Sequence, residues 1–232
     1  MTHGIEPQQV LQGALVLANT LPYMPAGVHV AIVDPTVGSD RKAVVLRGGD
    51  RLYVGPDNGL LVPAAEKLGG IDEAVEIAND ELLLHPVAAT FHGRDVFAPV
   101  AAHLATGTPL ADVGPALDPV SLVRLDVPEA QIGSSRIQVT VLYVDRYGNV
   151  QVNATTDDLE RAGMRPGTEV EIDVGFETYL ATVATTFADV RPGDILVYED
   201  SYRNVALAIN GGNAAQTLSA RPGRRLRVRL RA

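Results

Sequence analysis

Three polar loops, each directly after an apolar stretch, hold residue types that move protons and steer a nucleophile. The first is HVAIVDPTVGSDRK, His29 to Lys42. Asp34 closes its apolar run, Pro35 keeps the backbone out of helix there, and Gly38 lets the loop turn back towards Arg41. Seven positions separate Asp34 from Arg41, a spacing that lets a carboxylate and a guanidinium meet through directed hydrogen bonds. Taken alone, the same spacing favours an ordinary structural salt bridge. The second loop, LYVGPDNGLL (Leu52 to Leu61), contains Pro56-Asp57-Asn58-Gly59, which is first of all a tight-turn signal. The third, TFHGRDVFAPVAAHL (Thr90 to Leu104), sets His92 between Phe91 and Gly93, close to Arg94 and Asp95. Histidine exchanges a proton near neutral pH, so His92 is the acid–base candidate. His29 lies inside an apolar strand and reads as a packing residue, His103 falls in a helix, and His3 and His85 lack a supporting pattern. No HxH, HxxxH or His–carboxylate grouping surrounds His92, so no metal site is expected.

The elements that must position these loops follow from periodicity. Pro7 suits a first helical turn, and Val10, Leu11, Ala14, Leu15, Leu17 and Ala18 form an apolar stripe behind it. Val28 to Val33 predicts a strand covered on both faces. Ala43 to Leu46 and Leu52 to Val54 predict further strands joined by a turn at Gly48-Gly49-Asp50. Helices are expected over Pro63 to Leu68 and Pro99 to Thr106, stopped by Gly69 and Gly107. Polar strand exits of this kind build a site at the carboxyl edge of an α/β sheet. The proline-bearing stretch Leu110 to Pro128 reads as a crossing to a second domain.

From Ile137 onward the pattern changes to short strands and tight turns. Arg-Pro-Gly occurs at 165–167, 191–193 and 221–223, each time ahead of a strand-like segment. Pro-Gly suits the centre of a type II turn, so three hairpin entries into an antiparallel barrel or sandwich are expected. A short helix from Thr156 to Ala162 begins with good capping residues. The boundaries that result are an α/β domain at 1–125, a linker at 126–136 and a β-rich domain at 137–232.

Composition narrows the function classes. The 232-residue chain is 46% hydrophobic, so it can build a core. It has no cysteine, which excludes disulfides and thiolate metal sites and fits a reducing cytoplasm, the expected location. No apolar stretch approaches the ~20 residues that span a bilayer, and no basic-then-apolar leader opens the chain. A net charge of −9 argues against a nucleic-acid partner. The basic end is an apparent exception, but Arg225, Arg227, Arg229 and Arg231 alternate with Leu226, Val228 and Leu230, as on a strand with one solvated face. Asn210-Gly211-Gly212-Asn213 lacks both the P-loop ending and the GxGxxG spacing.

Taken together, six ordered blocks resemble the S-adenosylmethionine (SAM) hydroxide adenosyltransferases, or SAM hydrolases, relatives of the fluorinases and chlorinases. The blocks are LPYMPAGVHVAIVDPTVGSDRKAV, VGPDNGLL, TFHGRDVFAPVAAHLATG, VDRYGNVQVN, TFADV and VYEDSYRNVALAINGGNAA. The resemblance implies an N-terminal α/β domain with a central, mostly parallel sheet and a C-terminal antiparallel, barrel-like β domain. It implies a homotrimer with its active site between subunits, no cofactor beyond SAM itself as substrate, and no membrane or nucleic-acid partner. The roles that position the attacking water or hydroxide fall on Asp34, Arg41 and His92. Asn149 would meet the adenine edge, Phe187 would stack on the ring, and the backbone at Ala214 would complete the pocket. Asp145, Ser201 and Tyr202 would hold the methionine end.

Asp34-Pro35 and His92-Gly93 resemble the hydrolase branch, because halogenases carry Tyr-Pro with a run of Thr, and Tyr-Ser, at these places. Thr36 stands where the family usually has Gly. Family chains also open on a strand and a Thr-Asp-Phe-Gly type loop with a ribose-binding Asp, whereas this sequence begins near their Thr-His segment. That strand and loop are therefore expected to be missing, through a misplaced start or truncation, and the short form is expected to be the weaker enzyme. The expected reaction is hydrolysis of SAM to adenosine and L-methionine at the ribose C5′. The alternatives are a halide-using SAM adenosyltransferase and a catalytically impaired SAM- or adenosine-binding protein.

Overall fold

Residues 1–231 are described by a computed structural model, whose contacts divide the chain into Met1–Leu125 and Asp126–Ala232. In the first unit, helix α1 spans Val10–Thr20. It starts later than Pro7 because Gln8 takes a left-handed φ of 67° and Gln9 is non-helical. The strands are β1 (Gly27–Val30), β2 (Ala43–Gly48), β3 (Arg51–Pro56), β4 (Glu73–Glu76) and β5 (Ala116–Leu117). Helix α2 spans Val62–Lys67 and α3 spans Ala98–Ala105. Gly69 and Gly107, at φ 117° and 101°, end these helices as expected.

The sheet order is β1-β3-β2-β4-β5. Only β1–β3 is parallel, while β2–β3, β2–β4 and β4–β5 are antiparallel. The sheet is therefore mixed, which corrects the expectation of a mostly parallel one. The reason is local: β2 and β3 are joined by Gly49-Asp50 alone, too short for a parallel crossover. Neighbouring residues feed opposite faces. Leu46 and Tyr53 pack with α1 and α2, whereas Val45 and Val54 pack with Phe97, Val100 and Leu104 around α3. A second correction concerns Val28 to Val33. Strand β1 ends at Val30 and pairs only with β3, so Val30 and Ile32 remain 37% and 43% exposed. Leu110 to Leu125 is not a free crossing either. Leu110, Val113 and Leu122 are buried, and β5 extends the sheet.

The second unit contains β6 (Gln131–Ile132), β7 (Arg136–Val144), β8 (Val150–Thr155), β9 (Glu169–Val174), β10 (Glu177–Val183), β11 (Ile195–Glu199), β12 (Asn204–Ile209) and β13 (Arg225–Leu230). Pairing runs β13-β9-β10-β11-β12-β8-β7 and returns from β7 to β13, closing a seven-stranded barrel, with β6 lying on β7. One pairing, β10–β11, is parallel. All three Arg-Pro-Gly copies form turns in which the fourth residue bonds back to the arginine carbonyl, with glycine φ of 82–92°. Helix α4 (Thr156–Arg161) opens on a capping box between Thr155 and Asp158, and α5 spans Ala214–Thr217. On β13, Leu226 and Val228 fill the barrel while Arg229 pairs with Glu171 and Asp173 and Arg231 with Glu169. The arginine run is thus an outer strand face. No helix among the described residues is long and apolar enough to cross a membrane.

Candidate active site

In the first unit the three polar loops meet beyond the ends of β1 and β3. Asn58 Nδ2 donates to Val33 O at 2.8 Å, and Asp57 N donates to Lys42 O at 2.9 Å. Gly38 presses against the third loop. It has φ 84°, and a Cβ there would stand 2.9 Å from Ala89 O, so only glycine fits without strain. The result is that Asp34, Arg41 and His92 come together. Arg41 Nε lies 3.0 Å from both Asp34 carboxylate oxygens, and its Nη2 lies 2.5 Å from Oδ2. The same Nη2 is 3.0 Å from His92 Nδ1. Both side chains of the ion pair are buried, at 7% and 6% exposure. The salt bridge and the candidate catalytic grouping are therefore one object. A guanidinium only donates, so His92 Nδ1 accepts, and the proton of the neutral ring lies on Nε2.

Several residues passed over in the sequence hold this grouping. The Arg41 guanidinium sits over the Phe97 ring, 5.2 Å from its centroid. Asp95, 1% exposed, accepts from Ala88 N at 2.8 Å and from Arg94 at 2.6 and 3.0 Å. The Arg94 hydrogen bond, and then the Ala88 N–H, hold its carboxyl down at about 2. Asp95 lies in the wide turn Gly93–Phe97 that leads from His92 into α3, and so ties the histidine to the loop before it. Its HGRD context carried a signal, but a carboxylate beside an arginine is too common to single out.

The residues expected to contact substrate lie in the second unit. Asp145 Oδ1 accepts from Tyr147 N and Asn149 N at 2.8 and 2.9 Å, and Oδ2 accepts from Asn149 Nδ2 at 2.9 Å. This turn abuts α5: Ala215 N donates to Gly148 O at 2.9 Å, and buried Ala214 starts that helix. Phe187 is 38% exposed and stands edge-on to Tyr198 at 5.2 Å. Asn210 Nδ2 fixes its carbonyl at 3.0 Å. Ser201 is exposed and Tyr202 half-buried in the β11–β12 hairpin.

That hairpin repeats the first turn. Asp200-Ser201-Tyr202-Arg203-Asn204 parallels Asp145-Arg146-Tyr147-Gly148-Asn149. Asp200 Oδ1 accepts from Tyr202 N and Asn204 N at 2.8 and 3.0 Å, and the fourth residue of each copy has positive φ. The five-residue echo is visible in the sequence once it is sought. Burial raises the Asp200 carboxyl pKa. Burial, with the nearby Asp145 and Asp200 charges, pushes the Tyr198 phenol up to about 12 and also raises Tyr143. Among the described residues no cluster of three or more His, Cys, Asp or Glu is arranged to hold a metal.

The SAM hydroxide adenosyltransferase N-terminal domain matches residues 1–114, and the corresponding C-terminal domain matches residues 139–227. Proteins named (R)-S-adenosyl-L-methionine hydrolase from Salinispora tropica and Salinispora arenicola are each 50% identical, over 98% of this chain and 84% of their own length. A fluorinase from Actinoplanes is 29% identical over 96% of this chain and 84% of its own. The crystal structure of an uncharacterized conserved protein from Thermotoga maritima superposes with a TM-score of 0.87 at 37% identity, covering 98% of this chain and 86% of that one. The chain belongs to the SAM hydroxide adenosyltransferase family.

Proposed function

We propose that this protein hydrolyses S-adenosyl-L-methionine to adenosine and L-methionine by attack of a water-derived oxygen on the ribose C5′. The observation that carries the mechanism is the buried Arg41, whose single guanidinium grips Asp34 and touches His92. The C5′–S bond breaks as the C5′–O bond forms. The sulfonium leaves as the neutral thioether of methionine, and one proton is released. Departure of a positive sulfur as a neutral one makes a good leaving group, so the protein's task is to place the nucleophile in line and keep bulk water out. Asp34 accepts a hydrogen bond from the attacking water and is the group placed to take its proton. Arg41 lowers the cost of the hydroxide-like charge that develops on the oxygen. His92, with its proton on Nε2, donates to that oxygen and orients it. This division of labour follows from Nδ1 being occupied by Arg41. The reaction needs no cofactor.

Asp145, Asn149, Phe187, Ser201, Tyr202 and Ala214 form the substrate-binding set, with Phe187 as the exposed ring available for stacking. The active assembly is a homotrimer, as the resemblance implies, and the protein acts in the cytoplasm, a reducing compartment that a chain without cysteine fits. The test is adenosine release from SAM, with the R and S sulfonium epimers assayed separately and chloride and fluoride added in turn. Release of adenosine from the R epimer, unchanged by halide, supports the proposal. A 5′-halogenated nucleoside as main product would favour the halogenase alternative, and tight binding without turnover the impaired-binder alternative.

A further inference from the structure

The loop that carries Asp34 and Arg41 is held differently at its two ends. At the Arg41 end the β2–β3 ladder continues: Ala43 pairs with Pro56, and Asp57 N donates to Lys42 O at 2.9 Å. At the Asp34 end the ladder has stopped. Strand β1 ends at Val30, and Ala31 N, donating to Val54 O at 3.1 Å, makes the last backbone bond to β3. Among the described residues, the backbone from Ile32 to Arg41 then makes one hydrogen bond to the rest of the chain. Val33 O, the carbonyl next to Asp34, accepts it from Asn58 Nδ2 at 2.8 Å. Beyond the contact at Gly38, packing adds little, because Ile32, Pro35, Thr36, Ser39 and Asp40 are exposed. The donor itself stands on a firm turn. Asn58 Oδ1 accepts from Leu60 N at 3.2 Å, and Asp57 Oδ1 accepts from Val123 N at 2.9 Å. Gly59 has φ 90°, and a Cβ there would stand 2.6 Å from Leu125 Cγ.

The ion pair sets Asp34 and Arg41 relative to each other. It does not by itself set where the carboxylate stands above the sheet. The Val33 carbonyl and the Asp34 nitrogen share one rigid peptide plane, so a bond to Val33 O orients the backbone from which the Asp34 carboxylate projects. We propose that Asn58 is a positioning residue for the hydrolysis: its amide N–H on Val33 O holds Asp34, and through the ion pair Arg41, where the attacking water is received. Asn58 acts through the backbone and not on the substrate. Its loss therefore bears on the rate of the chemical step more than on substrate binding, since a misplacement of ~1 Å at a reacting group costs on the order of 100-fold in rate. The inference rests on SAM hydrolysis being the reaction and on Asp34 being the group that receives the water.

A second asparagine in the same unit supplies a matched control. Asn79 Oδ1 accepts from Glu81 N at 3.1 Å and its Nδ2 donates to Asp112 O at 2.8 Å, the same pair of bonds made away from the three loops. Both asparagines are half-buried. Asn58→Asp and Asn79→Asp each keep the acceptor oxygen and remove the donor. Both variants are made in the full chain and assayed for adenosine release from SAM at a temperature where circular dichroism shows them folded. Asn58→Asp should lower kcat roughly 10- to 100-fold and leave KM within about threefold of wild type. Asn79→Asp should leave both constants near the wild-type values. An unchanged kcat in Asn58→Asp, a rise in KM with kcat kept, or an equal loss of kcat in Asn79→Asp would overturn the assignment. If Asn58→Asp unfolds below the assay temperature, Asn58→Ser carries the same test. Its hydroxyl keeps an oxygen for Leu60 N, bears no charge and is too short to reach Val33 O. A wild type that releases no adenosine from SAM would overturn the functional proposal itself, and this inference with it.

Discussion

Arg41 carries two duties in one side chain. It neutralises Asp34 in a buried pair and it fixes the ring of His92. These duties separate by mutation. Arg41→Ala leaves Asp34 buried without its cation, and should cost about 3–5 kcal/mol of stability in urea unfolding. His92→Ala leaves the ion pair intact, and should shift stability by about 0.5 kcal/mol or less while lowering kcat on the order of 100-fold. A His92→Ala variant as unstable as Arg41→Ala would return the histidine to a packing role. The proton position is open to direct measurement. Nitrogen-15 NMR of His92 should show the neutral ring protonated on Nε2; protonation on Nδ1 would break the contact with Arg41 and the proposed role with it. At this scale the sequence was most legible where a residue type is rare in its surroundings. His92 among apolar and glycine neighbours stood out, and Asp34 and Arg41 shared a loop. Asp200 and Gln151 did not stand out, because what marks them is a buried side-chain oxygen, Oδ2 and Oε1, that has no hydrogen-bond partner within the chain. That property depends on register and burial, which spacing does not carry.

Elements were legible where a local signal decides them. The Arg-Pro-Gly turns, the Thr155–Asp158 cap and the glycine helix stops all rest on a few adjacent residues. The Gly-rich turn between β2 and β3 was legible too, but the antiparallel β2–β4 and β4–β5 pairings and the single-sided pairing of β1 were not, because they are set by which strands meet. Two elements carry predictions. The turn into α3 hangs on Asp95, whose carboxyl pKa is held near about 2 by Arg94 and Ala88 N. A carboxyl lowered in the folded state stabilises above its unfolded pKa and loses that contribution as pH falls through the folded one. Asp95→Asn should therefore melt at lower temperature than wild type at neutral pH, and the gap should close between roughly pH 4 and pH 2. A gap that persists unchanged at pH 2 would assign the effect to packing. The Asp145–Asn149 turn hangs on Gly148, which has φ 82° and where a Cβ would stand 2.2 Å from Asn213 Cγ. Gly148→Ala should cost about 1–3 kcal/mol and raise KM by displacing Asn149; an unaltered KM would separate this turn from substrate binding.

On the proposed function, the two units carry different parts of the chemistry. The first holds the proton-handling and cationic groups, and the second holds the aromatic and carboxylate groups suited to a nucleoside and an amino acid. The proposed homotrimer predicts a solution mass of three chains by light scattering, and a monomer of full activity would contradict it. The proposed reaction turns on one bond-making event, the joining of a water-derived oxygen to the ribose C5′ of SAM. The direct measurement is a reaction run in oxygen-18 water, with mass spectrometry of both products. The account predicts adenosine with one heavy oxygen at its 5′ position and L-methionine carrying none. Adenosine without the label, label found in methionine, or no adenosine at all would contradict it.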